Sequence, residues 1–223
     1  MPPAATPTAT AGPVPRYTRG GVAFDAPERL SLSYPASFDG PEWVRFVDLE
    51  VLMVDSTGES YLRFISEFDR QLYAYPETAS GTFVLSVHDG TLSASGRELE
   101  AEPLRRLLEG SLNNPASLET IQANLTNLIG LTIEFAQQDR VGRFTVVQAK
   151  RMSANDVAEY QFKPMELSTF MDPIAHPETS FLLLFCSGRQ PDEPRRPFPG
   201  RYVLVLQDVA GALAAAGLME PTP

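Results

Sequence analysis

The sequence of 223 residues predicts an α+β fold: a mostly antiparallel, β-rich sheet or sandwich with an inserted helical hairpin at about 103–129 and one earlier helix at about 60–73. Three observations predict this class. Short apolar runs recur between turn residues, a few segments show helical periodicity, and the last two apolar runs contain no polar alternation. The hydrophobic content of 43% suffices for one substantial core.

Several short segments read as strands. Segments 30–34 and 47–53 alternate apolar and polar residues, which is typical of strands with one face in solvent. Segments 82–87 and 91–94 flank His88-Asp89-Gly90, and an Asp-Gly pair favours the positive backbone angles of a tight turn. A β-hairpin is therefore predicted here.

The helices follow from apolar spacing. The first carries its apolar side chains at i, i+3, i+4, i+7 and i+11, and a proline at 76 ends it. In the second, Pro103 suits a first turn and leucines lie on one face. The third has an apolar stripe from Leu118 to Leu128 and ends at Gly130. The second and third together form the predicted helical hairpin.

Strands dominate the remainder, at 131–136, 144–149, 157–162, 181–186 and 202–206, with a last helical turn at 210–216. Strands 181–186 and 202–206 have no polar alternation. This pattern indicates cover on both faces, and hence central positions in the sheet.

The chain divides into an extended Pro/Ala/Thr-rich arm at 1–15, one globular α+β domain at 16–219 and a tail at 220–223. The arm offers little surface to bury, so it is not expected to fold alone. A long Pro/Arg-rich loop at 187–200 joins the two central strands. Hairpin loops usually have two to five residues, and longer ones are often functional.

The arm and the loop are the predicted contact regions for a protein partner. Prolines stiffen both segments and lower the entropy lost on docking, while Arg and Phe are enriched at interfaces. The predicted partner-binding residues are Pro3, Pro7, Pro13, Pro15, Arg195, Arg196 and Phe198. The expected partners are further copies of this chain or other protein subunits.

Charge and hydropathy exclude other partners. The chain has 18 Lys and Arg residues against 28 Asp and Glu residues, a net charge of -10, which argues against nucleic acid as a main partner. The first residues lack the pattern of a secretory signal, and no run approaches the roughly 20 apolar residues that span a bilayer. The sequence thus predicts a soluble, intracellular protein without a membrane span, with membership of a large particle as one interpretation.

Motifs for catalysis are scarce. Cys186, the one cysteine, ends an apolar run and is interpreted as a small buried hydrophobe, since a nucleophile would need a base and the chain has two histidines. Asp48 and Glu50 match the spacing of a carboxylate pair but fit a solvated strand better. His88, Asp89 and His176 are the one combination that resembles a metal site. No catalytic, metal-binding or cofactor-binding residue and no cofactor is predicted.

The sequence favours a non-enzymatic structural or assembly protein, such as a subunit of a shell, a capsid or a larger complex, whose arm and loop contact neighbouring subunits. Two alternatives stay open. One is a protein that binds a small apolar ligand in a pocket between sheet and helices. The other is a metal- or carboxylate-dependent enzyme.

Overall fold

The computed structural model of the protein describes residues 17–24, 29–53, 71–75, 82–87, 91–92, 97–111, 114–153, 155–156, 170–187 and 200–215. The predicted arm and tail lie outside these residues. So do positions 60–70 of the first predicted helix, the predicted strand at 157–162 and positions 188–199 of the predicted loop.

The described residues form short and long strands with three helices. The strands are β1 Thr18–Arg19, β2 Val22–Ala23, β3 Arg29–Pro35, β4 Trp43–Met53, β5 Gln71–Tyr75, β6 Val84–Ser86, β7 Thr91–Leu92, β8 Arg97–Glu98, β9 Gly110–Ser111, β10 Asn114–Pro115, β11 Thr132–Gln137, β12 Arg140–Met152, β13 Ser180–Cys186 and β14 Arg201–Gln207. The helices are α1 Glu102–Glu109, α2 Leu118–Leu128 and α3 Val209–Ala215, and a 3-10 turn covers Pro177–Thr179.

Eight of these strands close into a barrel in the order β11-β12-β14-β13-β6-β5-β4-β3. The barrel closes where β11 pairs with β3, with Phe135 opposite Leu32. Neighbouring strands are antiparallel except for two parallel pairs, β4 with β5 and β6 with β13. The β-rich, mostly antiparallel α+β class is confirmed. The sandwich is wrong, because one sheet curls until its first and last strands pair.

The core lies inside the barrel. Alternate strand residues point inward, as in β3, where Leu30 and Leu32 are buried. Aromatic rings fill the centre: Phe83 and Phe181 stack with ring centroids 5.0 Å apart, and Phe24, just after β2, lies 5.1 Å from Phe181. Residues around β1 and β2 thus pack into the same core as the barrel strands.

The two strands predicted to be central, β13 and β14, pair along their whole length. Phe181 and Phe185 of β13 belong to the interior core. Leu182, between them in alternation, belongs with Val203 and Val205 to a second apolar cluster on the opposite face of these strands. Both faces are therefore covered, as the absence of polar alternation predicted.

The predicted hairpin of 82–87 with 91–94 is wrong. Strand β6 pairs with β5 on one edge and with β13 on the other, so neither edge is open to a hairpin partner. Strand β7 pairs instead with β8. The turn residues 88–90 lie outside the described part of the chain. A local Asp-Gly signal is here overridden by pairing between residues far apart in sequence.

The end of the first predicted helix is also wrong. Gln71–Tyr75 is strand β5, which runs parallel to β4 with Leu72 opposite Val51. Leu72 and Ala74 are both buried, and this two-residue period is that of a strand. The helical spacing assigned Leu72 to a helix instead of a strand, because a single apolar residue fits both the helical and the strand period.

The later helices lie where the sequence placed them. Pro103 stands in the first turn of α1, and the Ser117 hydroxyl caps α2 by accepting from the Thr120 amide at 3.2 Å. The Asn124 side-chain amide donates to the Leu108 carbonyl at 2.9 Å and ties α2 to α1. Within the described residues, no helix combines the length and apolar character that crossing a membrane requires.

Candidate functional site

The candidate site lies at the shared end of β13 and β14. Cys186, the last residue of β13, stands directly opposite Arg201, the first residue of β14. Opposed residues of an antiparallel pair have Cβ atoms about 4.5–5.5 Å apart and point to the same face. The Ser187 amide donates to the Gly200 carbonyl at 3.0 Å just beyond this pair. The ladder therefore places the side chains of Cys186 and Arg201 next to each other at their Cβ atoms.

The two side chains follow the outer face of the barrel. Phe185 points inward, so strand alternation directs Cys186 outward, as it does Leu184. Arg201 likewise shares its face with Val203, a member of the outer apolar cluster. Cys186 is partly exposed rather than buried. Cys186 thus lies at the end of an apolar strip on the outer face of the barrel.

The end of β6 lies beside this site. Strands β6 and β13 are parallel, with Ser86 opposite Leu184, so their carboxyl ends meet at the same end of the barrel. The Val87 amide donates to the Leu184 carbonyl at 2.9 Å. This bond extends the pairing of β6 with β13 to a point two residues before Cys186. The next residue in the sequence, His88, lies outside the described residues.

A buried ionic cluster lies behind the site, on the inner side of β14. The Arg105 guanidinium on α1 pairs with Glu102 at 2.5 Å and with Glu109 at 2.9 Å. The Tyr202 hydroxyl donates to the other carboxylate oxygen of Glu109 at 2.8 Å. Helix α1 is thereby joined to the residue that follows Arg201.

Burial shifts the titration of two members of this cluster. It raises the pKa of Tyr202 well above its usual value, and the negative charge of Glu109 raises it further. For Arg105, burial acts to lower the pKa, but hydrogen bonds to Glu102 and Glu109 outweigh it and leave the pKa above its usual value. Both groups keep their protons throughout the neutral range.

Gly200 completes the packing at this end. A Cβ atom added to Gly200 would lie 2.5 Å from the backbone oxygen of Met152 and 2.6 Å from the hydroxyl of Ser187. Neither distance is compatible with a side chain. Gly200 is thus enclosed between Met152 of β12 and Ser187 at the end of β13.

Of the sequence-predicted site residues, those that the structure describes are not brought together. All seven predicted partner-binding residues lie outside the described residues, as do His88 and Asp89. His176 lies 3.4 Å from Glu178 on the 3-10 turn. Asp48 pairs with Arg29 at 3.4 Å. Within the described part of the chain, no three His, Cys, Asp or Glu side chains could hold a metal ion together.

Sequence reasoning missed the pairing of Cys186 with Arg201. The signal was present: if 181–186 and 202–206 are adjacent antiparallel strands, the residues at either end of the loop must oppose each other. The apolar run before Cys186 instead favours a buried hydrophobe, and Arg201 is not among the predicted site residues.

One alternative from the sequence was a pocket for a small apolar ligand between sheet and helices. A groove of about 270 Å³ lies in this region. It is lined by Ala36, Val44, Glu98, Pro103, Arg106 and Leu107. Its lining contains the ion pair of Arg106 with Glu98. The groove is therefore charged and open to water, unlike the apolar pocket that a small apolar ligand requires.

The comparisons with known proteins return solved structures alone: no protein family matches the sequence, and no curated protein does. The chain is similar to sortase A of Listeria monocytogenes, with 14% identity, 82% of this chain and 87% of that chain covered, and a TM-score of 0.39. Sortase C-1 of Actinomyces oris has 12% identity, with 83% of this chain and 76% of that chain covered, and a TM-score of 0.42. The sortase D5 transpeptidase of Clostridium perfringens has 9% identity, with 81% of this chain and 78% of that chain covered, and a TM-score of 0.37.

These matches correct the functional predictions. The solved structures named above are sortases, which are enzymes. They contradict the prediction of a non-enzymatic structural subunit, and with it the predicted shell or capsid role. The apolar-ligand protein and the metal- or carboxylate-dependent enzyme do not fit these matches either.

Proposed function

We propose that this chain is a cysteine-dependent acyl-transfer enzyme in which the Cys186 thiol is the nucleophile. The observation that carries the proposal is the ladder pair of Cys186 with Arg201 at the end of two central strands. A thiolate is the reactive form of cysteine, and an adjacent guanidinium favours it over the thiol. In this proposal a substrate approaches the sulfur from the outer face, where Cys186 is partly exposed as a residue.

Arg201 has a second role in this proposal. When a thiolate attacks a carbonyl carbon, negative charge develops on the carbonyl oxygen, and a fixed donor beside that oxygen stabilises the transition state. Guanidinium presents several donors in a rigid fork, so it can face both the sulfur and the oxygen. One Arg201 nitrogen donates to the Gly200 carbonyl at 3.0 Å, and this bond holds the side chain near the strand end.

His88 is the proposed proton carrier. It follows Val87 directly in the sequence, and the Val87 amide bonds to Leu184, two residues before Cys186. The thiolate attacks the carbonyl carbon, the S–C bond forms, and the leaving group departs with a proton from His88. An amine or water then attacks the thioester, gives a proton to His88 and releases Cys186.

The proposed substrates are polypeptides. The outer apolar cluster beside Cys186 includes the partly exposed residues Leu184 and Ile174, which could hold apolar side chains of an extended peptide. Transfer of the acyl group to an amine would make the chain a transpeptidase, the word used for the Clostridium perfringens protein. Transfer to water would make it a peptidase.

Acetylation by 4-nitrophenyl acetate tests the proposal. We expect one acetyl group on the peptide that contains Cys186, found by mass spectrometry, and one equivalent of nitrophenolate released with it. Cys186→Ala should lose both, and the assignment is unambiguous because the chain has one cysteine. Equal release from Cys186→Ala and the unmodified chain would contradict the proposal.

The two histidines provide a matched pair of variants for the same assay. His88→Gln should slow the turnover that follows the first equivalent of nitrophenolate, since in the proposed mechanism His88 accepts the proton of the attacking water. His176→Gln should not, because His176 precedes β13, and the seven residues of that strand separate it from Cys186 by roughly 20 Å. Equal rates for both variants would remove His88 from the mechanism.

Partner contacts outside the described residues stay a prediction. The residues concerned are Pro3, Pro7, Pro13, Pro15, Arg195, Arg196 and Phe198. Within this proposal their partner is a protein substrate or a second copy of the chain. If the arm joins copies, deleting residues 1–15 should lower the particle mass in light scattering at unchanged Tm. An unchanged mass would count against a homo-oligomer formed through the arm.

A further inference from the structure

The buried ionic cluster of Glu102, Arg105, Glu109 and Tyr202 is not used by the proposed chemistry. Its members are at most 5% exposed and lie on the inner side of β14. Buried ion pairs are a costly way to hold a strand, since well-packed apolar residues do so equally well. What they add is direction, because a hydrogen bond fixes an angle and a position that apolar contact leaves free.

We propose that Tyr202 is a positioning residue whose hydroxyl bond to Glu109 sets the start of β14, and with it the placement of Arg201 against Cys186. The inference rests on the proposed function, since it concerns the geometry of that site. Tyr202 does not touch the outer face. It acts through the backbone that it shares with Arg201.

Three contacts meet at this point of the strand. The Tyr202 ring lies 5.2 Å from that of Phe185, the neighbour of Cys186 on the paired strand. The hydroxyl is fixed by Glu109, which Arg105 holds in turn. Gly200, before Arg201, is enclosed by Met152 and Ser187. Strand ends fray first, so a reactive pair at the last rung needs such restraint.

The ring contact and the hydroxyl bond can be separated. Tyr202→Phe keeps the ring against Phe185 and removes the hydroxyl with its hydrogen bonds to Glu109 and Arg151. A matched control is Tyr34→Phe: Tyr34 is equally buried, and its hydroxyl donates to the Glu100 carbonyl. Tyr34 lies on β3, four strands from β13 in either direction around the barrel.

Hydrogen exchange of the Ser187 amide measures the restraint directly, because this amide donates across the strand end to Gly200. In the full chain, we expect Tyr202→Phe to speed its exchange about tenfold more than Tyr34→Phe does. The acetylation rate of Cys186 should fall in Tyr202→Phe and stay unchanged in Tyr34→Phe. The ultraviolet absorbance of the thiolate, titrated against a Cys186→Ala blank, should move to higher pH in Tyr202→Phe alone.

The outcomes separate this inference from the proposed function. Equal Ser187 exchange in the two variants overturns the inference, even where Cys186 of the unmodified chain is reactive. Faster exchange with an unchanged acetylation rate and an unchanged thiolate titration also overturns it, since Tyr202 would then be structural only. An unmodified chain that is never acetylated at Cys186 overturns the proposed function, while the exchange measurement still decides whether Tyr202 sets the strand end.

Discussion

Replacing Arg201 with methionine should slow the acetylation of Cys186 about 10- to 1000-fold. Methionine keeps much of the length of the side chain but removes the positive charge and every donor. The thiolate then loses the neighbour that favours it, and the developing carbonyl oxyanion loses a donor. The measurement is the release of nitrophenolate from 4-nitrophenyl acetate, read against mass spectrometry of the Cys186 peptide.

Two further variants separate charge from geometry in this experiment. Arg201→Lys keeps the charge without the planar fork and should recover part of the rate. Arg143→Met removes an equal charge from β12, where the side chain is 73% exposed and paired with Glu134 at 2.8 Å, and should leave the rate unchanged. A full rate in Arg201→Met, with intact folding, would show that Arg201 has no role beside Cys186.

The parts of the fold that the sequence predicted well have short-range causes. Helices α1 and α2 follow from leucine spacing with Pro103 and Ser117 near their starts, and these signals act within one turn. The apolar runs of β13 and β14 report burial on both faces without regard to the partner. Each of these patterns lies within one segment, so the sequence of that segment alone predicts its helix or its burial.

Barrel closure could not be predicted in this way. It depends on which strand edges meet, and β6 is the clearest case: its neighbours are β5 and, in parallel, β13, about a hundred residues further along. The Asp-Gly pair after β6 has the same local appearance whether or not a hairpin forms. Pairing between distant strands overrode that turn signal, as it did the helical spacing around Leu72.

The candidate site was partly predictable from the sequence, unlike barrel closure. Opposition of Cys186 and Arg201 follows from two strands and the loop between them, all of which the sequence predicted. The chemistry of this pair is not visible in either segment alone, because a cysteine at the end of an apolar run also fits the core. Strand alternation would have directed it to the face opposite Phe185.

Replacing Arg105 with alanine should lower the free energy of unfolding by about 3–5 kcal/mol. Arg105 pairs with both Glu102 and Glu109, and all three side chains are at most 7% exposed. Removing the guanidinium leaves two carboxylates buried with their shared counter-ion gone. Urea unfolding followed by circular dichroism measures the loss, and Arg105→Lys, which keeps the charge but not the fork, should fall between the two.

The adjacent residue supplies the control. Arg106 also pairs with a glutamate, Glu98, yet its side chain is 48% exposed, so water replaces the lost interaction. Arg106→Ala should cost about 0–1 kcal/mol. Two arginines on one helix, one residue apart and each ion-paired, then differ severalfold in effect because burial differs. Equal losses would mean that the cluster under β14 is solvated, which would also remove the directional restraint that Tyr202 is proposed to provide.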